Sequence, residues 1–415
     1  MSADLRSHGG DFQSSSLRVF SLCLIAIILS TADQSLFSYA IPGIQSEFNI
    51  DLTVIGYMLS ASFLAASFAV VIIGVLADRL GRKKILAASL GLSALFVGCH
   101  SLIQSLALLT ALRILGFALG AGLYLVASTM VIETAPHRFR GLVAGMLQIG
   151  YPLGFALSAV VITPFIDVYG WRSAFYPAFI VFLLSPLMYI FLPESARYEN
   201  ATRELDLDQS QDFLFTCKTL LIDYRRPLIL CFLGSFTVSL AIGGTSYFLP
   251  TYLVEEYGYS LSEAGKTVGR SYAIGAIGYL LASSVGQFVM TRRNTLIVWI
   301  VLGGLCFSYT VWKADASHTL LISLGITIMF LYGSEAVRMP LIGELFPTHL
   351  RATATGIAGS LAVTVAWLIA PLALPKGVES FGWAFAFTFF GIMPLFLSAL
   401  IFLFVPNHSS KLAIE

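Results

Sequence analysis

The chain has 415 residues, 57% hydrophobic and 11% charged, with 24 Lys and Arg against 23 Asp and Glu. A soluble domain carries about 25% charged residues, so a water-soluble globule is excluded, and a near-neutral chain with no basic patch interleaved with aromatics offers nothing to nucleic acid. Five scattered cysteines without C-x-x-C spacing and six histidines without an H-x-x-x-H pair point to no disulfide framework and no metal site.

Residues 1–17 form a polar, serine-rich tail without a cleavable signal pattern, so targeting falls to the first apolar stretch. Apolar stretches follow at about 18–43, 53–77, 85–104, 106–132, 141–165 and 171–192. A polar segment, 193–226, separates them from stretches at about 227–250, 264–290, 295–312, 318–342, 354–374 and 382–405, with a short tail at 406–415. Each stretch is long enough to cross a bilayer as a helix. Twelve spans of about 20 residues would consume about 240 residues, close to 57% of 415, which leaves little for any other core. The expected fold is an all-α polytopic membrane protein with twelve transmembrane helices in two six-helix bundles (18–192 and 227–405) joined by a cytoplasmic linker.

Lysine and arginine placement gives the orientation. With both termini on one side, that side holds Arg79, Arg82, Lys83, Lys84, Arg138 and Arg140, then Arg225, Arg226, Arg292, Arg293 and Arg351. The other side holds only Arg172, Lys266, Lys313 and Lys376. The positive-inside rule then places both termini in the cytoplasm, in the inner or plasma membrane. The halves echo each other: Glu133-x-x-Pro136-x-x-x-Arg140 recurs as Glu344-x-x-Pro347-x-x-x-Arg351, and Pro42, Glu47 and Gly56 find counterparts in Pro250, Glu256 and Gly265. A parallel repeat of six spans is a transporter architecture, with the solute site between the halves near the membrane midplane.

Three arginines and two acids lie deep within spans: Asp33, Arg113, Arg270, Glu335 and Arg338. An ionised group at that depth is costly unless paired or hydrated, and by default it is functional. Asp33 and Arg113 fall at matching depth, so the pair reads either as a proton-coupling device or as a static clamp between spans 1 and 4. Glu335 and Arg338, three apart, share a helix face; they neutralise each other or form a second gating or solute-binding pair in the cytoplasmic half. Arg270 either receives a solute carboxylate or snorkels to the outer water. The surplus of buried cations favours an anionic solute. Tyr39 and Tyr247 offer rings and hydroxyls to it, with lipid-interface anchoring as the alternative. Gln148 is a buried amide that could line the cavity.

Between spans 2 and 3 stands Gly74-Val-Leu-Ala-Asp78-Arg79-Leu-Gly81-Arg82-Lys83-Lys84. This loop resembles the G-x-L-A-D-R-x-G-R-[RK] signature of the major facilitator superfamily. The resemblance extends to the span count, the central linker and the repeated E-x-x-P-x-x-x-R loops. It implies that Gly74, Asp78, Arg79, Gly81 and Arg82 belong to a cytoplasmic gate. Asp78 would dock on the start of span 11 near Thr353, and Arg82 would join a charge network with Glu133 and Arg140. Glu344 and Arg351 would serve the second half, whose loop lacks the Asp: Val289 and Met290 stand there. Arg113-x-x-Gly116-x-x-x-Gly120-x-Gly122 is similar to the family's span-4 signature associated with proton coupling. Pro193-Glu194-Ser195-Ala196-Arg197-Tyr198 resembles the sugar-porter signature, but the Gln-rich span 7 of hexose carriers is absent. The block Glu344 to Thr353 also resembles the same branches, including aromatic-acid proton symporters, whose span-1 D-G-x-D is represented here only by Asp33; the span-1 Asp-Arg of organic-anion symporters appears as Asp33-Gln34.

The expected function is therefore secondary active transport by alternating access: proton-coupled import of a small organic anion, a carboxylate with or without an aromatic ring. Proton-coupled efflux of organic compounds is the alternative within the family, and a transporter-like membrane receptor the alternative outside it. No catalytic constellation, nucleophile–base pair or phosphate loop stands in the spans, so no enzyme is expected. Apart from the proton as coupling ion, no cofactor is expected. The expected partners are the solute and the bilayer, with the chain acting as a monomer.

Overall fold

A computed structural model describes residues 14–135, 140–194, 219–314 and 318–407. Its helices are, in order, α1 (Ser14–Phe48), α2 (Leu52–Leu80), α3 (Arg82–Cys99) and α4 (Leu106–Ala121, resuming past Gly122 as Leu123–Thr134). α5 comprises Arg140–Leu147 and Gly150–Ile162, and α6 is Tyr176–Phe191. The second half has α7 (Arg225–Ser246, followed by a short helix Leu249–Tyr257), α8 (Leu261–Phe288), α9 (Arg292–Trp312) and α10 (His318–Glu344). α11 runs as Thr348–Thr355, a π-helical turn Gly356–Leu361 and Ala362–Phe381, and α12 as Trp383–Phe387, a second π-turn Thr388–Ile392 and Met393–Leu403.

Eleven of these spans are both long and apolar enough to cross a membrane on composition alone. The twelfth, α8, has 28 residues, ample for the crossing. It falls short in apolarity because its sequence is rich in Gly and Ser and begins with Glu263, Lys266 and Arg270. The reason is packing. α8 is wedged between α5 and α10, and its small residues let backbones approach: a Cβ on Gly278 would sit 1.9 Å from the Met329 carbonyl oxygen.

Local signals set the helix ends. Ser260 caps α8 by accepting from Glu263 N–H while the Glu263 carboxylate accepts from Ser260 N–H, a capping box written as S-x-x-E. Gly170 and Gly382 hold φ of 75° and 79° just before Trp171 and Trp383, a conformation that suits glycine. These two glycines, 212 residues apart, mark the same corner in each half. Trp171 Nε1 donates to Glu47 at 2.9 Å, and Trp383 Nε1 donates to Glu255 at 3.0 Å. The counterpart of Glu47 is therefore Glu255, not Glu256: the repeat keeps the 208-residue register of Pro42 and Pro250.

α2 packs against α11 and α5 against α8, the pairing expected of two six-helix bundles related by a pseudo-two-fold axis. One end of the molecule carries Arg79 to Lys84 and Arg292–Arg293 (the basic face), the other Arg172, Lys266 and Lys376 (the sparse face). The buried apolar residues divide in a telling way. Toward the sparse face, those of the first half (Leu36 to Ala66, Phe155 to Ala178) merge with the second half into one cluster. Toward the basic face, Val19 to Ile27, Ile73 to Ala94 and Leu123 to Leu147 form a cluster of the first half alone. The hydrogen bonds that Thr53, Ser60, Ser260 and Ser262 make across the halves lie in the part nearer the sparse face. The molecule is closed at the sparse face.

Candidate solute site between the halves

Arg113 occupies the centre. It lies seven residues into α4, about 10 Å along the helix axis, and is 1% exposed. Its Nη1 donates to the Gln34 carbonyl at 3.2 Å, which places it at the level of Asp33 as the depth argument requires. Its guanidinium carbon stands 4.6 Å from the Phe37 ring, 4.9 Å from Phe117 and 6.0 Å from Tyr247. Nε and Nη2 are buried and make no well-formed hydrogen bond, the Tyr247 hydroxyl being close enough to interact with the guanidinium without completing one. A guanidinium cannot shed its charge, and cation–π contacts only soften the cost of burying it. Two free donors on one planar fork match a carboxylate.

Asp33 is 2% exposed, and its Oδ2 is likewise buried without a partner. The two groups form no ion pair, so the static clamp between spans 1 and 4 is not present in this conformation. Phe37, one turn beyond Asp33 on α1, stacks on the Arg113 guanidinium instead.

Around Arg113 stands an aromatic box. Phe63 meets Phe117 edge-on at 4.8 Å, Trp367 at 5.2 Å and Tyr247 at 5.7 Å. Phe155 stacks on Tyr272 at 4.4 Å, and Tyr272 meets Tyr332 at 5.5 Å. The hydroxyls of Ser246 and Tyr332 lie 3.1 Å apart. These rings come from both halves: Phe63, Phe117 and Phe155 from α2, α4 and α5, the others from α8, α10, α11 and the end of α7. Of them, sequence reasoning singled out only Tyr247. The spacing Arg113–Phe117 and Asp33–Phe37, one helical turn each, was the available signal.

The remaining sequence candidates divide. Arg338 is 1% exposed and held by Glu335, with Nε to Oε1 at 3.1 Å and a second contact from Nη2, while Nη1 is buried without a partner. Gln148 lies beside the Tyr124 hydroxyl. Tyr124, Tyr151, Ser30, Thr31 and Gln34 line a cavity of about 40 Å³ next to the box. Tyr39 is buried behind the box, its hydroxyl donating to the Phe155 carbonyl at 3.1 Å within the α1–α5 contact. Arg270 corrects the sequence reading most clearly. It is exposed and shares a stripe with Glu263, Lys266, Ala273 and Ile277 on the outward face of α8, opposite Gly269 and Tyr272. It therefore snorkels along the outer surface.

At the basic face, Gly74 packs against Leu125 and Gly81 turns the chain with φ 102°. Arg82 pairs with Glu133, and Arg292 pairs with Glu344 at the equivalent place in the second half. Arg351 is exposed at the start of α11, so Glu344 takes its charge partner from α9 instead. Arg79 lies on the same turn, and Glu194 accepts from the Arg82 and Lys83 backbone N–H groups at 3.1 and 3.2 Å. Asp78 is not docked on α11: its side chain is 71% exposed and meets Arg82 at 3.5 Å. The expected docking is thus absent in this conformation, which is closed at the other face. The Arg140 side chain and residues 195–218, which hold most of the sugar-porter-like signature, lie outside the described residues. Near the sparse face, Glu255 lacks the arginine that Arg172 supplies to Glu47; burial and the charge of Glu256 push its carboxyl up, and the Trp383 bond opposes them.

The cis,cis-muconate transport protein of Acinetobacter baylyi is 28% identical over 343 residues, covering 81% of this chain and 82% of that one. The 4-hydroxybenzoate transporter PcaK of Pseudomonas aeruginosa is 27% identical over 390 residues, covering 86% of each. The crystal structure of a D-xylose–proton symporter superposes with a TM-score of 0.76 at 20% identity, over 95% of this chain and 99% of that one, which shows a shared fold. A family model described as the Major Facilitator Superfamily matches residues 23–337. With twelve long helices among the described residues, in two pseudo-symmetric bundles with buried charges within them, the chain belongs to the major facilitator superfamily of membrane transporters and is not an enzyme.

Proposed function

We propose that this carrier moves a small organic carboxylate, one bearing a ring or conjugated system, by alternating access coupled to protons, and that it works as an importer. The observation that carries the reading is Arg113: a buried guanidinium with two unpartnered donors, set in aromatic side chains from both halves. The carboxylate lies on the fork and the flat body against the rings. Relatives named for cis,cis-muconate and 4-hydroxybenzoate support that solute class. Gln148, Tyr247, Glu335 and Arg338 complete the lining. Asp33 is the proton carrier: its unpartnered carboxyl stands at the level of the solute's charge, so it holds a proton while the solute's carboxylate compensates Arg113 and releases that proton when solute departs, its own carboxylate then compensating the guanidinium. The proton is the only coupling species and no bound cofactor is required. The basic face is cytoplasmic, by the positive-inside rule. The gate there is built from Gly74, Asp78, Arg79, Gly81, Arg82, Glu133, Arg140, Glu344 and Arg351.

The test is uptake of 4-hydroxybenzoate and cis,cis-muconate into proteoliposomes with an alkaline interior. Wild type is expected to accumulate at least one of them, and collapse of the proton gradient is expected to stop it. Asp33→Asn is expected to lose accumulation while keeping gradient-independent exchange. Accumulation that survives in Asp33→Asn removes the proton role from this residue, and failure to bind any carboxylate removes the solute class.

A further inference from the structure

Two carboxylates outside the solute site make the same contact across the boundary between the halves. Glu379, near the end of α11, accepts from Thr53 N–H at 3.2 Å and from Thr53 Oγ1 at 2.6 Å. Thr53 is the second residue of α2. Asp167, after α5, accepts from Ser262 N–H at 3.0 Å and from Ser260 Oγ at 3.1 Å. Ser262 is the second residue of α8. Asp167 and Glu379 are 212 residues apart, the spacing of Gly170 and Gly382, so they are pseudo-symmetry mates: each half lends an acid to the first turn of the other half's helix. The first-turn N–H groups of a helix have no partner within it, and the helix dipole favours a negative charge there. At α2 the intrahelical cap is missing, since Asp51 stands at the cap position without a side-chain cap bond. Glu379 supplies that bond from the other half. Around both contacts the helices are tightly apposed: the Ser60 hydroxyl donates to the Leu368 carbonyl at 2.8 Å, and that of Ser262 to the Thr163 carbonyl at 2.9 Å.

We infer that Asp167 and Glu379 are a reciprocal pair of latches that hold the sparse face shut, and that both contacts must break each time the carrier opens there. Both link the two bundles, whereas the neighbouring acids Glu47 and Glu255 bond within their own bundle. Both acids are exposed, so each latch is modest and salt-sensitive, a strength suited to a gate that must reopen. The inference rests on the carrier fold and not on the proposed solute, and its test needs no solute.

The experiment replaces Tyr169 and Lys313 by the ketone-bearing residue p-acetylphenylalanine in the full-length protein in nanodiscs, couples a keto-reactive spin label to each and reads their distance distribution across the sparse face. Asp167→Asn and Glu379→Gln are each expected to raise the open-to-closed ratio about threefold, and the double variant about tenfold. Glu47→Gln, which touches only its own half, is expected to leave the ratio unchanged. A second readout guards against misfolded variants: raising salt from about 0.05 to about 1 M is expected to move the unsubstituted protein in the same direction. A double variant that elutes as a folded particle with the unsubstituted distance distribution overturns the inference, as does a distribution insensitive to salt.

Discussion

Among single residues, Arg113 and Arg270 show where depth along a helix informs and where it misleads. Sequence places both at a similar depth, and the structure agrees for Arg113, whose Nη1 reaches the Gln34 carbonyl. Depth says nothing of azimuth. Arg270 looks outward because Gly269, Ser271 and Tyr272 occupy the packed side of α8. The stripe Glu263, Lys266 and Arg270 was legible as a polar face but was outweighed by the count of buried charges. Two substitutions separate the roles. Arg113→Gln is expected to weaken binding of a carboxylate by about 2 kcal/mol or more, the scale of a charge-assisted hydrogen bond, and to spare the corresponding amide. Arg270→Ala is expected to leave both affinities unchanged. Titration calorimetry with 4-hydroxybenzoate and 4-hydroxybenzamide measures the difference.

Among helices, α8 is the element that the hydropathy pattern describes least well and the packing describes best. Its glycines and serines lower its apolarity because neighbouring helices, not lipid, face it on two sides. A Cβ at residue 278 meets a backbone oxygen that cannot move aside, so Gly278→Ala is expected to cost about 1–3 kcal/mol. Gly356, with nothing within 4 Å of its Cβ position, serves as the control: Gly356→Ala is expected to be neutral or slightly stabilising. Thermal unfolding in detergent reads both. The spans themselves were legible because length and apolarity decide them. The register of the repeat was legible only to within one residue, since Glu255 and Glu256 are adjacent and only the Trp383 bond tells them apart. The aromatic box was not legible as a unit, because its rings come from helices far apart in sequence and each alone reads as ordinary core.

For the whole molecule, the loop signature between α2 and α3 announced a gate without saying whether it would be engaged. Here the halves share one apolar cluster toward the sparse face and not toward the basic face, and Asp78 is free of α11. Asp78→Ala is therefore expected to leave the melting temperature of this conformation unchanged while depleting the opposite one. Spin-label distances between α2 and α11 at the basic face should lengthen on average; an unchanged distribution would argue that Asp78 has no part in the gate. The π-turn Gly356–Leu361 bears on the same motion. It divides α11 into Ala362–Phe381, which packs on α2, and Thr348–Thr355, which lies beyond that contact. A π-turn holds one residue more than the α-helix around it, and one residue corresponds to about 100° of rotation. The surplus residue can travel along the helix, and each stretch that it passes swivels by about that angle with few backbone bonds broken at any instant, like a ruck travelling along a carpet. α11 thus carries a means by which its basic-face end can turn, once the surplus residue has run through it, while its other end stays seated on α2.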